Sequence, residues 1–199
     1  MAGIFFDRRK DWLLRWSSRA VGKSGSVRHS RSLLLFTITL GFVSLAGCSP
    51  SEVVSCFTPL ERLAPDGAIE PTAEWGLGTQ AGPYIFVSGM RGIDPATNEI
   101  VLDVEARVRQ AYDNMFLIAA HAGAGPDDLV ETVVYIRTGH PSEDFLTIRS
   151  YDNAARRDYY GDGPYPNRTI VGLDMLNGVD ADGEPDVFEM KGTFYSACD

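Results

Sequence analysis

Apolar and polar residues follow two different periods after about residue 68, and these periods predict both strands and helices. Residues 84–88 form a compact run of β-forming side chains between Pro83 and Gly89, which predicts a strand. An irregular extended segment at 69–80 predicts a neighbouring strand. Turn-forming residues at 94–98 then predict a reversal of the chain before the first helix.

Two segments have the spacing of amphipathic helices. The first begins after Asp103, whose side chain can cap the first turn, and it ends at Gly123. The second covers residues 141–160 and is closed by two prolines. The periodic apolar positions are Val104, Val108, Ala111, Met115 and Ile118 in the first helix, and Phe145, Ile148, Ala155 and Tyr159 in the second.

Three further strands complete the predicted fold. Residues 129–138 are rich in β-branched side chains, and residues 168–175 and 187–195 have strand-like patterns on either side of an acidic turn at 180–183. The order of elements is ββαβαββ, an α+β class with a mixed sheet and both helices on one face. The other face then needs a cover, so we expect self-association with ligand pockets between subunits.

The amino-terminal segment has the features of an export signal. Residues 32–46 are apolar and uncharged and follow a basic stretch, and Leu45-Ala46-Gly47-Cys48 resembles a bacterial lipobox. We therefore expect a signal peptide over residues 1–48, lipidation of Cys48, and an exported lipoprotein held at the periplasmic or cell-surface side by its lipid alone. An uncleaved single-pass anchor is the alternative.

The length of 199 residues allows one well-buried domain besides this signal. Residues 49–67 mix serine, proline and charge without a period, which is typical of a tether, and residues 68–199 form the predicted domain. Cys56 and Cys198 lie at its two ends, where either a disulfide or two free thiols is possible.

The charge distribution excludes one class of partner. The net charge is −9, and much of the basic charge lies within residues 8–31, so the predicted domain is more acidic than the whole chain. Binding to nucleic acid depends on clustered lysine and arginine. We therefore expect a small-molecule partner and no nucleic acid.

A metal site is not predicted. Asp180, Asp182, Gly183 and Glu189 have four spacings of a calcium-binding loop, but Gly178 occupies its first ligand position. The three histidines, His29, His121 and His140, do not have the spacing of metal ligands.

Residues 69–196 contain short motifs in a fixed order at compatible spacing. Each motif alone is weak, whereas the ordered set is fairly specific. The set consists of FVSG at 86–89, DPATNEI at 94–100, a helix with glutamine and asparagine at 110–122, DDLV at 127–130, PNRT at 166–169 and FEM at 188–190.

This ordered set resembles the Rid/YjgF family of reactive-intermediate and imine deaminases, also called the endoribonuclease L-PSP family. The resemblance implies a chorismate-mutase-like homotrimer with three sites in the clefts between subunits. It also implies hydrolysis of 2-aminoacrylate-type imines or enamines to 2-keto acids and ammonia without a cofactor.

Two charged residues match the chemistry of that reaction. The planar fork of Arg168 can bind a substrate carboxylate through two parallel hydrogen bonds, and an ion pair without function is the alternative. Glu189 can act as a general base or position water, provided that it faces the same cleft. Ser88 and Gly89 would supply a hydroxyl and a backbone N–H, although Ser-Gly at a strand end is also ordinary turn chemistry.

Three positions involve departures from the family pattern or weaker matches to it. Trp75 stands where the family has a tyrosine, and an indole donates a hydrogen bond but cannot transfer a proton as a phenol can. Ile170 stands where many members have a cysteine, so only its backbone N–H could contact substrate. Asn153 is matched to a polar residue of the second helix.

These features leave two functional hypotheses open. The first is a metal-free imine or enamine deaminase that uses Arg168 and Glu189. The alternative is a non-catalytic lipoprotein that binds small carboxylates on the same trimeric scaffold, with Trp75 replacing proton transfer by packing. A ribonuclease ranks last because the acidic chain has no basic stripe.

Overall fold

The computed structural model describes residues 59–139, 144–176, 183 and 186–197. Within these ranges it has two α-helices and strands of very different length. They are β1 (Glu61–Leu63), β2 (Gly78–Ala81), β3 (Tyr84–Met90), β4 (Ile93–Asp94), β5 (Glu99–Ile100), α1 (Val104–His121), β6 (Leu129–Arg137), α2 (Phe145–Tyr160), β7 (Asn167–Leu173) and β8 (Phe188–Tyr195).

The main sheet is mixed, and the two helices lie on one of its faces. Its strand order is β1-β2-β3-β8-β6-β7. Only the β6–β7 pair is parallel among the described strands, because α2 is the crossover between them. Helix α1 packs on β3 and β8, and α2 packs on α1 and β6. The α+β prediction is confirmed, and strand β7 forms one edge of the sheet.

Three short strands were not predicted. Strand β1 pairs with β2 in the sheet, so the sheet begins within residues 49–67, where the sequence pattern predicts a tether. Strands β4 and β5 form a small hairpin around the predicted turn, where Asn98 has a φ of 59°. Each of these strands is three residues or shorter, and so short a segment has no visible period.

The core is formed by the alternating positions of the central strands and the apolar stripe of α1. In β8, Phe188, Met190 and Phe194 are fully buried beneath the helices. Ile85 and Val87 of β3 are buried on the same face. Alternation with period two therefore decides which face each strand residue occupies.

The helix ends show the predicted capping. Asp103 accepts a hydrogen bond from the backbone N–H of Ala106 at 2.8 Å, as expected for an N-cap. Gly123 follows α1 with a φ of 81°, a conformation that glycine adopts at low cost. Helix α2 begins at Phe145, with Asp144 as its cap, rather than at 141. Residues 141–143 lie outside the described ranges.

The sheet face opposite the helices carries exposed aromatic side chains. Tyr84, Phe86 and Tyr195 are each almost half exposed, and the rings of Tyr84 and Tyr195 lie 5.5 Å apart. An uncovered sheet face with exposed aromatic side chains is typical of a surface that packs against another subunit. The homotrimer itself stays a prediction.

The predictions for the amino-terminal part fall outside the described residues. They are the signal peptide of residues 1–48, lipidation of Cys48 and the Cys56–Cys198 disulfide, and all of them stay predictions. In the described part of the chain, neither helix combines the length and apolar character that crossing a membrane requires.

Candidate active site

Arg168 and Glu189 lie on opposite faces of the sheet in a single chain. Arg168 is in register with Thr132, which is buried beneath the helices. Glu189 lies between Phe188 and Met190, both of which face the helices, so its own side chain takes the other face. Strand β6 also separates β7 from β8. One chain therefore does not bring the two predicted catalytic residues into one cleft.

The first group of site residues surrounds the guanidinium of Arg168. Its Nη1 donates to the carboxylate of Asp152 and, at 2.8 Å, to the amide oxygen of Asn153. Asp152 is fully buried and also accepts a hydrogen bond of 2.7 Å from the hydroxyl of Tyr112. These contacts hold Arg168 in one position and leave its remaining N–H groups for a ligand.

Tyr112 supports this arrangement as a neutral hydrogen-bond donor. Burial, followed by the charge of Asp152, raises the pKa of the Tyr112 phenol well above its ordinary value. The phenol therefore keeps its proton and donates a hydrogen bond to Asp152 at all ordinary pH values. Asp152 was not predicted, because an acidic residue in a charged helical segment is usually interpreted as solvated.

Arg168 borders two shallow concavities. The first has a volume of about 410 Å³ and the second a volume of about 340 Å³. The linings of the two, besides Arg168, are Asn153, Arg156, Arg157, Tyr165 and Pro166 for the first, and Phe145, Arg149 and Ile170 for the second. The sequence-predicted Asn153 and Ile170 thus lie beside Arg168. Arg149 also lines the second concavity, and the apolar period of the helix could not reveal this position.

Arg156 fixes the segment that precedes Arg168. It donates to the backbone carbonyl of Pro166 and to the hydroxyl of Thr132. Its guanidinium also lies 5.9 Å from the ring centre of Tyr160 and 5.8 Å from that of Tyr165, a cation–π arrangement. The start of β7, just before Arg168, is therefore anchored to α2.

The second group lies where β3 meets β8. The pairing of the two strands shifts between Val87 and Met90, so Ser88 and Gly89 occupy a bulge, a feature common beside active sites. The Ser88 hydroxyl donates to the carbonyl of Gly76. A Cβ at Gly89 would overlap with the Glu189 carboxylate. Glycine is therefore what lets Glu189 lie against the bulge.

Glu189 has a carboxyl group that is easier to protonate than usual. Its pKa is raised by burial, and secondarily by the negative charge of Asp186, while Arg91 lowers it. Asp186 is fully buried and forms an ion pair with Arg91. A raised pKa brings a carboxyl group closer to the range in which it can take and return a proton near neutral pH.

Trp75 belongs to the same side of the site as Ser88. Its side chain is half-buried and packs against the core, and the next residue, Gly76, accepts the hydrogen bond from Ser88. In the described ranges, no group of three or more metal-ligating side chains lies together. Asp180 and Asp182, considered above for calcium, lie outside those ranges.

A family model described as endoribonuclease L-PSP matches residues 66–187. The chain belongs to this family, the Rid/YjgF family. The match includes Ser88, Gly89 and Arg168 and ends just before Glu189.

The chain matches two relatives within the Rid/YjgF family over most of their length. A RutC family protein of Sulfurisphaera tokodaii is 30% identical over 118 residues, which are 59% of this chain and 88% of that protein. A 2-iminobutanoate/2-iminopropanoate deaminase of Escherichia coli K12 is 28% identical over 116 residues, which are 58% of this chain and 87% of the relative.

Solved structures of the Rid/YjgF family share the fold. A probable translation initiation inhibitor of Rhodopseudomonas palustris is 35% identical, with a TM-score of 0.61, and the match covers 70% of this chain and 100% of that one. The YjgF gene product of E. coli is 24% identical, with a TM-score of 0.57 over 69% of this chain and 99% of its own. At this identity, the similarity to the YjgF gene product shows a shared fold and nothing more.

Replacing Gly89 with alanine tests the contact between the bulge and Glu189. We expect any turnover that depends on Glu189 to fall about tenfold, because the new methyl group pushes the carboxylate away from its position. The fold should survive, since a glutamate side chain can turn aside, and the melting curve followed by circular dichroism checks this. Unchanged turnover would mean that Glu189 does not act from its place against Gly89.

Proposed function

We propose that the protein hydrolyses small imines and enamines that carry a carboxylate, of the 2-aminoacrylate type, to 2-keto acids and ammonia. The observation that carries the proposal is the half-buried Glu189, held against the Ser88–Gly89 bulge with a raised pKa. The orientation of Arg168 by Asp152 and Asn153 supports it. The name of the E. coli relative indicates the same class of substrate.

The proposed reaction uses water and these side chains alone. Arg168 binds the substrate carboxylate, and Glu189 removes a proton from a water molecule as its oxygen attacks the imine carbon. With the imine in its protonated form, this gives a neutral tetrahedral carbinolamine and a protonated Glu189. Glu189 passes its proton to the amino group. As the C–N bond breaks, Glu189 takes the proton of the carbinol hydroxyl and passes it to the departing ammonia, so that the products are ammonium and a 2-keto acid. The side chain ends in its starting state.

We further propose that each site is shared between two subunits of a homotrimer. The Arg168 group lies at the β7 edge on the helix side, and the Glu189 group lies on the opposite face, so a second subunit must supply the missing half. The exposed aromatic face around Phe86 supports such packing. The three sites would then each contain Arg168 of one subunit and Glu189 of another.

Mixed oligomers of two inactive variants test the shared site. The Arg168→Ala and Glu189→Gln proteins are each expected to be nearly inactive alone, with imines supplied by an amino-acid oxidase and ammonia release as the signal. Trimers assembled from equal amounts should regain about one quarter of the wild-type sites, because each site draws its two halves from different subunits. Native mass spectrometry confirms that the subunits have mixed.

The result that would contradict the shared site is a mixed trimer without any recovered turnover. Absence of turnover by the unmodified protein, with all imines tested, would contradict the deaminase proposal itself. Trp75 favours the second candidate function in that case, because its half-buried indole packs against the core and cannot transfer a proton. Binding of pyruvate that depends on Arg168, without turnover, would then identify a carboxylate-binding protein.

A further inference from the structure

Two arginines with different surroundings border the second concavity. Arg168 and Arg149 line it together with Phe145 and Ile170. Arg168 comes from the start of β7, and Arg149 comes from the second turn of α2. The site of the proposed function needs one cation for the substrate carboxylate, and Arg168 supplies it. Arg149 is therefore a second cation for which that reaction gives no reason.

The charge of Arg168 is already balanced, whereas the charge of Arg149 is not. Asp152 forms an ion pair with Arg168. Among the described residues, no acidic side chain forms an ion pair with Arg149, which is exposed. The lining of the concavity, as far as it is described, also contains no acidic residue. When Arg168 holds the one carboxylate of such a ligand, Arg149 is therefore still without a carboxylate partner among the described residues.

This local charge contrasts with the rest of the chain. The net charge is −9, yet the two concavities around Arg168 are lined by four arginines, counted over the described residues. A concave surface with one sign of charge raises the local concentration of ligands of the other sign. The surface around Arg168 is therefore suited to ligands with more than one negative charge.

We propose that the second concavity selects substrates with two carboxylates, the imines of acidic amino acids. This inference rests on the proposed function and names its substrate class. Arg168 binds the carboxylate next to the imine carbon, Arg149 binds the distal carboxylate, and the apolar walls of Phe145 and Ile170 contact the methylene groups between them.

The neighbouring concavity offers a competing arginine, Arg157, and its surroundings make it the weaker candidate. Asn153 lines that concavity and accepts a hydrogen bond from Arg168. The Nη1 of Arg168 is thus already occupied by protein groups on that side. The guanidinium of Arg156, also on that side, is bound to Pro166 and Thr132. Arg157→Ala is therefore the matched control, an exposed arginine of the same helix.

The test compares imines made by amino-acid oxidases from glutamate and from alanine. The unmodified protein should hydrolyse the glutamate-derived imine with a kcat/KM about 3- to 10-fold higher, as expected for one added ion pair with an exposed arginine. Arg149→Ala should abolish this preference and leave hydrolysis of the alanine-derived imine unchanged within about twofold. Arg157→Ala should keep the preference.

Binding measurements separate this inference from the proposed function. By calorimetry, 2-oxoglutarate should bind more tightly than pyruvate, and Arg149→Ala should remove the difference. If no imine is hydrolysed but this binding pattern is found, the deaminase proposal fails and the dicarboxylate site stands. If imines are hydrolysed without a preference, or the preference depends on Arg157, the dicarboxylate site is wrong. Dissociation of the oligomer in Arg149→Ala would also overturn it, since Arg149 would then be an interface residue.

Discussion

Imine hydrolysis by the Arg168→Ala variant is expected to be about 100- to 1,000-fold slower in kcat/KM than hydrolysis by the unmodified protein. A guanidinium that makes two parallel hydrogen bonds to a carboxylate contributes about 3–4 kcal/mol to binding of the transition state. Ammonia and keto-acid release from enzymatically generated imines measure the effect. The loss should appear with every substrate, because each one carries the carboxylate next to the imine carbon.

This variant needs a control for folding, because Arg168 also neutralises Asp152. Asp152 is fully buried, and an unpaired buried carboxylate costs about 3 kcal/mol or more of stability. The double variant Asp152→Asn with Arg168→Gln removes both charges together, so its melting temperature should exceed that of Arg168→Ala. The imine hydrolysis of the double variant should remain as low as that of Arg168→Ala. Activity that returned in the double variant would mean that Arg168 acts through the fold and not on the substrate.

The central elements of the fold could be predicted from the sequence because their patterns are long. Helix α1 has a regular apolar stripe and a capping aspartate, and β6 is a run of β-branched residues. Strands β1, β4 and β5 have three residues or fewer. Strand β1 depends on its pairing with β2, and β4 pairs with β5 across the predicted turn. Segments this short have no visible period of their own.

The identities of the site residues were easier to predict than their directions. In β8, the alternation Phe188-Glu189-Met190 already implies that Glu189 points away from the core. The sequence of β7 shows no such alternation at Arg168, because its neighbours Asn167 and Thr169 are polar as well. The face of Arg168 therefore follows only from its register with β6 and its contact with Asp152. The separation of Arg168 from Glu189 in one chain therefore depends on tertiary structure, which the local sequence does not show.

Asp152, which supports the site, was missed for a related reason. It stands in a helical segment rich in charged side chains, where exposure is the usual expectation. Asp152 is buried because Tyr112 of α1 and Arg168 of β7 both bond to it. Neither partner is near Asp152 in the sequence.

The Glu189→Gln variant is expected to lose about 100- to 1,000-fold in kcat, because glutamine cannot take a proton from water. The unmodified protein should show a rate that falls as the pH is lowered through the pKa of Glu189. Burial raises this pKa, so the fall should begin above the ordinary range of a glutamate. A pH–rate profile of both proteins measures it, and the variant should lack this acidic limb. A limb that persisted in the variant would assign the titration to another group.

Near neutral pH, the Glu189→Gln variant should be less active but more stable than the unmodified protein. The folded-state pKa of Glu189 lies above its unfolded value, so between the two values the folded protein binds more protons and stability falls as the pH rises. At neutral pH the ionised, half-buried Glu189 therefore destabilises the fold, and Asp186 adds repulsion. Glutamine removes both effects, so Glu189→Gln should melt at a higher temperature near pH 7 and at nearly the same temperature in acid. A variant that was less stable at neutral pH would show that the carboxylate holds the bulge together. A more stable but inactive variant would show that Glu189 is kept, at a cost in stability, for proton transfer.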